Sequence, residues 1–363
     1  MTKLPIRKDL VGRLPYGAPQ IDVPVRLNTN ENPFGPSPEL VAELAKAVSA
    51  LGPNLNRYPD RDANELRADL ANYLNTESQV SLSATNIWTA NGSNEVMQQL
   101  LQLFGGPDKC LVAFDPTYSM YEDYCRNTFT KYLIVARNED FTINTSVIDK
   151  ALALSPDLIV LTSPNNPTGT IIDMSDIDYL LANFAGVVVV DEAYAEFRPA
   201  GTPSAVSKLK SNPRLVVVRT MSKAFSYAGA RVGYAATSPE IVEALQLVRL
   251  PYHLSTVTQA VARVALRFSE QLQSQLILLR KERDDLAVWL RDQGFEVAPS
   301  GANFLLFGTF GDRNQVWEQL VEQGVLIRQI GPNGWLRVSI GTPEENQAFK
   351  TALIQVTTRA NGK

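Results

Sequence analysis

Reactive side chains follow three apolar, β-branched runs of this 363-residue chain, close to the point where each run ends. The runs span residues 158–161, 187–190 and 215–218, and the side chains that follow them are Asn166, Asp191, Tyr194, Ser222 and Lys223. Such runs are typical of buried parallel strands, and ligands of open α/β sheets bind at the carboxyl ends of the strands. An amide, a carboxylate, a phenol and an amine are therefore expected at one edge of a sheet. A lysine whose pKa is lowered by its surroundings is both a nucleophile and a base, so this set of groups could support covalent chemistry and proton transfer.

A second set of residues is suited to hold a phosphate. Gly92, Ser93 and Asn94 directly precede a segment with helical periodicity. The free backbone N–H groups and the positive end of the helix dipole bind anions at such a helix start, and a glycine permits close approach. Arg231 and the hydroxyl of Ser222 offer further contacts to a phosphate.

Each of these elements taken alone also has a purely structural interpretation. Lys223 could be a solvated surface amine, and Asp191 could cap the next helix. The segment around Asn166 could be an ordinary turn, and Gly92 could only mark a helix start. The complete set in this order is far more specific than any of its members.

The set of motifs resembles the class I/II pyridoxal-phosphate aminotransferases of fold type I. The resemblance covers essentially the whole chain and is carried by SPNNPTG at 163–169, DEAY at 191–194, SK at 222–223 and AGARVGY at 228–234. It implies an α/β fold in which a large domain has a mostly parallel seven-stranded sheet between helices and a smaller α/β domain accompanies it. It also implies pyridoxal 5′-phosphate as the cofactor and a homodimer with shared active sites.

The resemblance implies a role for each candidate residue. Lys223 forms the Schiff base with the cofactor and moves the proton during transamination, while Asp191 pairs with the pyridinium nitrogen. Asn166 and Tyr194 hydrogen-bond to the ring hydroxyl, and Tyr118 stacks on the ring. The residues implied for the cofactor phosphate are Gly92, Ser93, Asn94, Thr220, Ser222, Arg231 and, from the neighbouring subunit, Tyr58.

Three further segments resemble the histidinol-phosphate aminotransferase branch of this family: RLNTNENP at 26–33, YG at 16–17 and LPYHLS at 250–255. That branch exchanges an amino group between L-histidinol phosphate and 2-oxoglutarate, giving imidazole acetol phosphate and glutamate in histidine biosynthesis. The substrate-binding residues that the resemblance implies are Tyr16, Glu31, Asn166, Tyr252, Arg328 and Arg337. Glu31 lies near the imidazole, whose N–H a carboxylate can accept, and Arg337 binds the substrate anion with Arg328 as a weaker second.

Other functions remain open at this point. An aromatic amino-acid aminotransferase needs a pocket of similar size, and a threonine-phosphate decarboxylase uses the same cofactor and another amino phosphate. A regulator built on the same fold would carry a basic DNA-binding module, for which the chain has no spare segment. A phosphate-binding α/β module without catalysis would not need Lys223 and Asp191 in this arrangement.

The elements that must position these residues are also visible in the sequence. Ser37 and Pro38 predict a helix start, and Gly52 ends that helix. The last third of the chain predicts, in order, a helix at 269–293 closed by Gly294, strands at 295–297 and 304–307, a helix at 315–323, strands at 325–328 and 335–340, and a helix from Pro343. The predicted division is an N-terminal arm and helix at 1–52 that contributes to the dimer interface and the small domain, a large cofactor-binding domain at 53–253 and a small domain at 254–363.

Composition excludes several other classes of protein. The chain has 34 Lys and Arg against 38 Asp and Glu, a net charge of −4, and no long basic run, so we predict no nucleic-acid or membrane partner. Two cysteines, Cys110 and Cys125, and one histidine, His253, argue against a disulfide scaffold and against a metal site rich in these residues. The N-terminus does not resemble a signal peptide, and no apolar run approaches the roughly 20 residues of a bilayer span. We therefore expect a soluble, cytoplasmic enzyme without a metal.

Overall fold

The computed structural model describes residues 4–361 of the chain. The helices are α1 (Pro38–Leu51), α2 (Asn64–Ser78), α3 (Ser93–Phe104), α4 (Met120–Thr128), α5 (Thr145–Leu152), α6 (Met174–Asn183), α7 (Pro239–Leu245), α8 (Thr256–Arg267), α9 (Ser269–Asp292), α10 (Arg313–Glu322) and α11 (Pro343–Asn361). The strands are β1 (Val25–Arg26), β2 (Ile87–Ala90), β3 (Cys110–Asp115), β4 (Lys131–Ala136), β5 (Leu158–Thr162), β6 (Val187–Asp191), β7 (Leu215–Thr220), β8 (Gly233–Ala236), β9 (Glu296–Val297), β10 (Phe304–Gly308), β11 (Val325–Leu326) and β12 (Leu336–Ser339). Within residues 4–361, no helix is both long enough and apolar enough to cross a membrane.

A seven-stranded sheet forms the centre of the molecule, with the strand order β2-β8-β7-β6-β5-β3-β4. Every neighbouring pair from β7 to β4 is parallel, whereas β8 runs antiparallel to both β7 and β2. Side chains of β6 alternate between two hydrophobic clusters, with Val188 and Val190 in one cluster and Val187 and Val189 in the other. Because helices cover both faces, the strand is apolar throughout, as the sequence predicts. The predicted mostly parallel seven-stranded sheet is confirmed.

The C-terminal third forms a smaller three-stranded sheet of the order β12-β10-β9, with antiparallel pairs. The long helix α9 precedes it and is followed by Gly294, whose φ of +87° is easily adopted by a glycine. The prediction of one strand at 325–328 is wrong. Only β11 is a strand there, and it pairs in parallel with β1 of the N-terminal arm, while Arg328 forms an isolated bridge with Arg337 of β12. The arm thus adds a strand to the C-terminal part of the chain, and the domain boundaries at 52/53 and 253/254 stay predictions.

The helix starts follow their capping residues. The Ser37 hydroxyl accepts a hydrogen bond from the Leu40 amide at 3.2 Å, and Pro38 occupies the first position of α1. An N-cap serine satisfies one of the free amides at a helix start. The predicted start and end of this helix are confirmed.

A network of buried charges lies below the loop that follows β6. Arg219 on β7 is fully buried, and its guanidinium contacts Glu192 at 2.7 Å and Glu196 at 3.1 Å. It also donates to the Ser204 hydroxyl at 3.0 Å, and Arg198 contacts Glu192 at 3.3 Å. Burial acts to raise the pKa of Glu192, but the charges of Arg219 and Arg198 outweigh it and hold that pKa below its usual value. The loop is therefore fixed to β7 by ion pairs.

The same loop is held from a second side by α9. Arg280 donates to the backbone carbonyl of Glu196 at 2.6 Å, and Arg283 donates to that of Phe197 at 2.8 Å. Arg283 also reaches the carbonyl of Ala302, just before β10. The helix thereby connects the loop after β6 with the smaller sheet.

Replacing Arg219 with methionine should lower the free energy of unfolding by about 3–5 kcal/mol, because Glu192 would stay buried without its main partner. Chemical denaturation would measure the change. Arg267→Met is the matched control, since the Arg267 side chain is 56% exposed and its guanidinium lies 3.9 Å from Glu43. That variant should change the free energy by less than about 0.5 kcal/mol. A loss for Arg219→Met no larger than that of the control would contradict the assigned importance of the network.

Candidate active site

A pocket opens where β5, β6 and β7 end, at the edge predicted from the sequence. Most of the predicted site residues line it: Tyr16, Ser93, Asn94, Tyr118, Asn166, Asp191, Tyr194, Thr220, Ser222, Lys223, Arg231, Arg328 and Arg337. Parallel strands bring their carboxyl ends to one edge, which is why residues far apart in sequence meet here.

Lys223 projects into this pocket shortly after the end of β7. Its amine donates a hydrogen bond to the backbone carbonyl of Thr29 at 2.8 Å and lies 6.0 Å from the centre of the Tyr194 ring. Removal from water, together with the positive charge of Arg337, lowers the pKa of Lys223 to about 8. About a tenth of this amine is therefore uncharged at pH 7, and a nucleophile or a base requires the uncharged form.

Asp191, the last residue of β6, is buried and held in a fixed orientation. One carboxylate oxygen accepts from the Tyr121 hydroxyl at 2.8 Å, and the other accepts from the Ala193 amide at 3.1 Å. The Tyr121 hydroxyl lies 2.8 Å from that of Thr162, which donates to it because the tyrosine proton goes to Asp191. Burial raises the pKa of Asp191. A positively charged N–H group in the pocket would offset the cost of keeping this carboxylate ionised.

The start of α3 and Arg231 form the predicted anion cradle. Gly92 has a φ of +85°, and a Cβ atom there would lie 2.4 Å from the Arg231 guanidinium. Gly233, at the start of β8, packs directly against the start of α3, since a Cβ atom at this position would lie 2.1 Å from the Ser93 amide nitrogen. Arg231 donates to the Ser222 hydroxyl at 3.0 Å. Amides, a guanidinium and a hydroxyl thus converge on one position that suits a phosphate.

Arg337 of β12 provides a second positive group in the lining of the pocket. It is buried on β12 and donates to Asn166 at 2.6 Å and to the carbonyl of Asn28 at 2.8 Å. Burial lowers the pKa of Arg337 to about 10. Its Nε atom is buried and has no hydrogen-bond partner among residues 4–361. A buried guanidinium with a free donor next to a pocket is suited to bind an anion.

The remaining walls are aromatic or partly exposed. Tyr118 packs edge-on against Tyr121 with the ring centres 5.7 Å apart, and its hydroxyl lies 3.5 Å from the side-chain oxygen of Asn94. Tyr16 of the arm is half exposed at the mouth, where Arg328 points at the carbonyl of Gly17 from 3.4 Å. These residues complete the lining of the pocket.

Four predicted residues do not line the pocket of their own chain. One is Gly92 of the cradle, which directly precedes the lining residue Ser93. Glu31 is exposed and accepts a hydrogen bond from the Thr29 hydroxyl at 2.9 Å. Tyr58 and Tyr252 stack on each other with ring centres 4.4 Å apart, and they are 79% and 40% exposed. Their roles in binding phosphate or substrate stay predictions.

Several residues of the site are missed by the sequence analysis. Tyr121 lies in the first turn of α4, and nothing in its residue type or spacing indicates that it contacts Asp191. Thr29 and Asn30 belong to the segment at 26–33, but nothing in their residue types indicates that they contact Lys223 and Tyr194. Thr162 supports Asp191 from the end of β5.

Comparison with known families agrees with this geometry. Residues 22–353 match the family described as aminotransferase class I and II. The chain belongs to this family. Membership confirms the predicted aminotransferase family, its α/β fold and its dependence on pyridoxal phosphate.

Similar class I and II aminotransferases include two proteins with named activities. The chain is 54% identical over 358 residues to the histidinol-phosphate aminotransferase of Thermobifida fusca, covering 98% of this chain and 96% of the relative. It is 53% identical over 357 residues to histidinol-phosphate aminotransferase 3 of Burkholderia lata, with the same coverage. Among solved structures, the histidinol-phosphate aminotransferase of Sinorhizobium meliloti in complex with pyridoxal-5′-phosphate has a TM-score of 0.86 at 22% identity and covers 99% of both chains. That likeness supports the fold.

The residues of this aminotransferase fit its family's cofactor. The cradle at Gly92 is open only because no Cβ atom fills it, so a phosphate can approach the amides of α3. The buried carboxylate of Asp191 suits a protonated ring nitrogen, and the Lys223 amine lies in the same pocket. Pyridoxal phosphate presents all three matching groups, a phosphate, a ring nitrogen and an aldehyde.

The rate at which the apoprotein attaches pyridoxal phosphate should rise about tenfold per pH unit up to pH about 8 and then level off. The reason is that only the uncharged Lys223 amine attacks the aldehyde, and its pKa is lowered to about 8. Absorbance after rapid mixing measures this rate. Arg337→Gln should move the profile to higher pH, because it removes a positive charge that lowers the pKa of Lys223. A profile that levels off only above pH 10 would mean that the amine is no different from one in water.

Proposed function

We propose that this protein transfers the amino group of L-histidinol phosphate to 2-oxoglutarate, forming imidazole acetol phosphate and glutamate in histidine biosynthesis. The proposal is supported by relatives named histidinol-phosphate aminotransferase that are 46–54% identical over nearly the whole chain. Identity at this level over full length is expected to preserve the substrate pocket as well as the fold.

The observation that carries the proposal is the pair of separate cationic positions in one pocket. Arg231 and the start of α3 form one, and Arg337 forms the other, with Arg328 and Tyr16 near the mouth. The first position accounts for the cofactor phosphate, so the second is free for a substrate anion. A guanidinium can bind either a phosphate or a carboxylate, so Arg337 can serve histidinol phosphate and 2-oxoglutarate in turn.

The chemistry divides between the cofactor and the side chains. Pyridoxal phosphate, when bound, supplies an electron sink for the substrate's α-carbon. Lys223 moves the proton, because its uncharged Nζ atom accepts it from one carbon and returns it to another. Asp191 holds a proton on the ring nitrogen, and Asn166 and Tyr194 donate hydrogen bonds to the ring oxygen.

A second copy of the chain would contribute two tyrosines to the pocket. Tyr58 and Tyr252 are exposed as a stacked pair, suited to enter a neighbouring site and donate hydroxyl groups to phosphates. We therefore retain the predictions of a homodimer with shared sites and of a cytoplasmic location. Glu31 stays the predicted partner of the imidazole ring.

A half-reaction with purified, cofactor-loaded protein tests the substrate. Histidinol phosphate should bleach the visible absorbance of the bound cofactor fastest, and 2-oxoglutarate should restore it, because only this substrate offers both an imidazole and a phosphate. Phenylalanine and threonine phosphate are the comparison substrates. Faster bleaching by phenylalanine would favour an aromatic amino-acid aminotransferase. Release of carbon dioxide from threonine phosphate would favour a decarboxylase.

Lys223→Ala should reduce turnover by about a hundred- to ten-thousandfold, because no other group in the pocket is placed to move the proton. The variant should still retain cofactor through the cradle around Arg231, without the absorbance of the lysine-linked form. Steady-state rates and spectra measure both effects. Lys208→Ala is the matched control, since its amine contacts Asp178 at 2.7 Å on the surface. Near-normal turnover of Lys223→Ala would refute the assigned role.

A further inference from the structure

Asn30 occupies an unusual position beside the pocket. Only 1% of it is exposed, and its φ of +55° lies in the left-handed region that few residues other than glycine adopt. Asparagine tolerates this region better than most side chains. The residue lies between the pocket and β12, so its amide contacts both.

The hydrogen bonds of Asn30 have defined directions. Its backbone N–H donates to the Ser339 hydroxyl oxygen at 2.9 Å, and the Ser339 hydroxyl lies 2.8 Å from the side-chain oxygen of Asn30. Because the backbone N–H can only donate, the single proton of Ser339 must go to the Asn30 oxygen. The Asn30 side-chain nitrogen is then directed to the Tyr194 hydroxyl, 3.0 Å away. Since that nitrogen carries only protons to donate, the Tyr194 oxygen accepts.

This direction decides where the Tyr194 proton can point. The tyrosine is buried and lines the pocket, and its ring packs edge-on against Phe304 with the centres 5.1 Å apart. Among residues 4–361, no other atom is hydrogen-bonded to its hydroxyl. An oxygen that accepts from Asn30 must donate its own proton elsewhere, and the open direction is the pocket.

We propose that Asn30 and Ser339 are positioning residues that aim the Tyr194 proton at an oxygen anion on the cofactor ring. The inference rests on the proposed function only for the presence of that cofactor. The titratable and charged groups that act on the Tyr194 hydroxyl are Arg337, Asp191 and Tyr16, and the Lys223 amine lies 6.0 Å from the Tyr194 ring centre. None of them changes in the variants below, which makes the hydroxyl's orientation the quantity under test.

The hydrogen bonds that lead from Ser339 through Asn30 to Tyr194 start on β12, the strand that also carries Arg337. Arg337 and Ser339 are two residues apart on β12, so both side chains leave the same face of the strand. Arg337 reaches Asn166, and Ser339 reaches Asn30. The two partners proposed for the ring oxygen, Asn166 and Tyr194, are therefore both held from this one face.

The test is a pH titration of the visible absorbance of the cofactor-loaded protein without substrate. A hydrogen bond donated to an oxygen anion stabilises the anion and lowers its attraction for a neighbouring proton. Tyr194→Phe should therefore raise the pKa of the absorbance change by about one unit. Asn30→Gly, which suits a positive φ and adds no charge, should raise it by a similar amount, and Ser339→Ala by less. Ser300→Ala is the matched control, since its hydroxyl donates to the Phe304 carbonyl and does not contact Asn30.

The double variant Asn30→Gly with Tyr194→Phe shows whether Asn30 acts through Tyr194 or by a general effect on the structure. If Asn30 acts through Tyr194, the pKa of the double variant should equal that of Tyr194→Phe alone. The proposal would be overturned if the shifts of the two single variants added up in the double variant. It would also be overturned if Asn30→Gly and Ser339→Ala both had the same pKa as the Ser300→Ala control. Protein that binds no cofactor at all would instead contradict the proposed function.

Discussion

The rest of the structure depends on charged groups that are buried around the pocket, where the central sheet meets the smaller one. Asp191, Glu192, Arg219 and Arg337 are all buried, and each is stable there only because specific donors or acceptors surround it. Arg219 fixes the loop after β6, and Tyr121 fixes the carboxylate of Asp191. The geometry of the pocket is thus a consequence of satisfying buried charges.

The sequence predicts the parts of the site that depend on local pattern. Apolar runs mark β5, β6 and β7, so Asp191 and Lys223 could be placed at their ends without a structure. Contacts between distant segments leave no such pattern. Asn30 and Tyr194 are 164 residues apart, and an asparagine in the N-terminal arm gives no sign that it contacts a tyrosine of the large sheet. The strand prediction at 325–328 fails for the same reason, because β11 is short and pairs with a two-residue strand about 300 residues earlier. The individual roles of the predicted site residues rest on chemistry and on resemblance.

The two cationic positions of the pocket come from different sheets. Arg231 follows the last parallel strand of the large sheet, whereas Arg337 belongs to the smaller sheet. The segment from Leu27 to Asn30 joins the two, since its backbone accepts from Lys223, Arg337 and Ser339. The N-terminal arm therefore belongs structurally to the active site, although it precedes both sheets in the chain.

Strand β12 has a consequence for how this protein can change during evolution. Its Arg337 is the residue proposed to bind the substrate's anion, and its Ser339 anchors the residue that contacts the Tyr194 hydroxyl. Because alternate residues of a strand share one face, a shift of β12 moves both side chains together. A mutation that adapts the strand to a differently shaped substrate would therefore also alter reactivity, so new substrate ranges are more easily reached through the arm and the pocket mouth than through this strand.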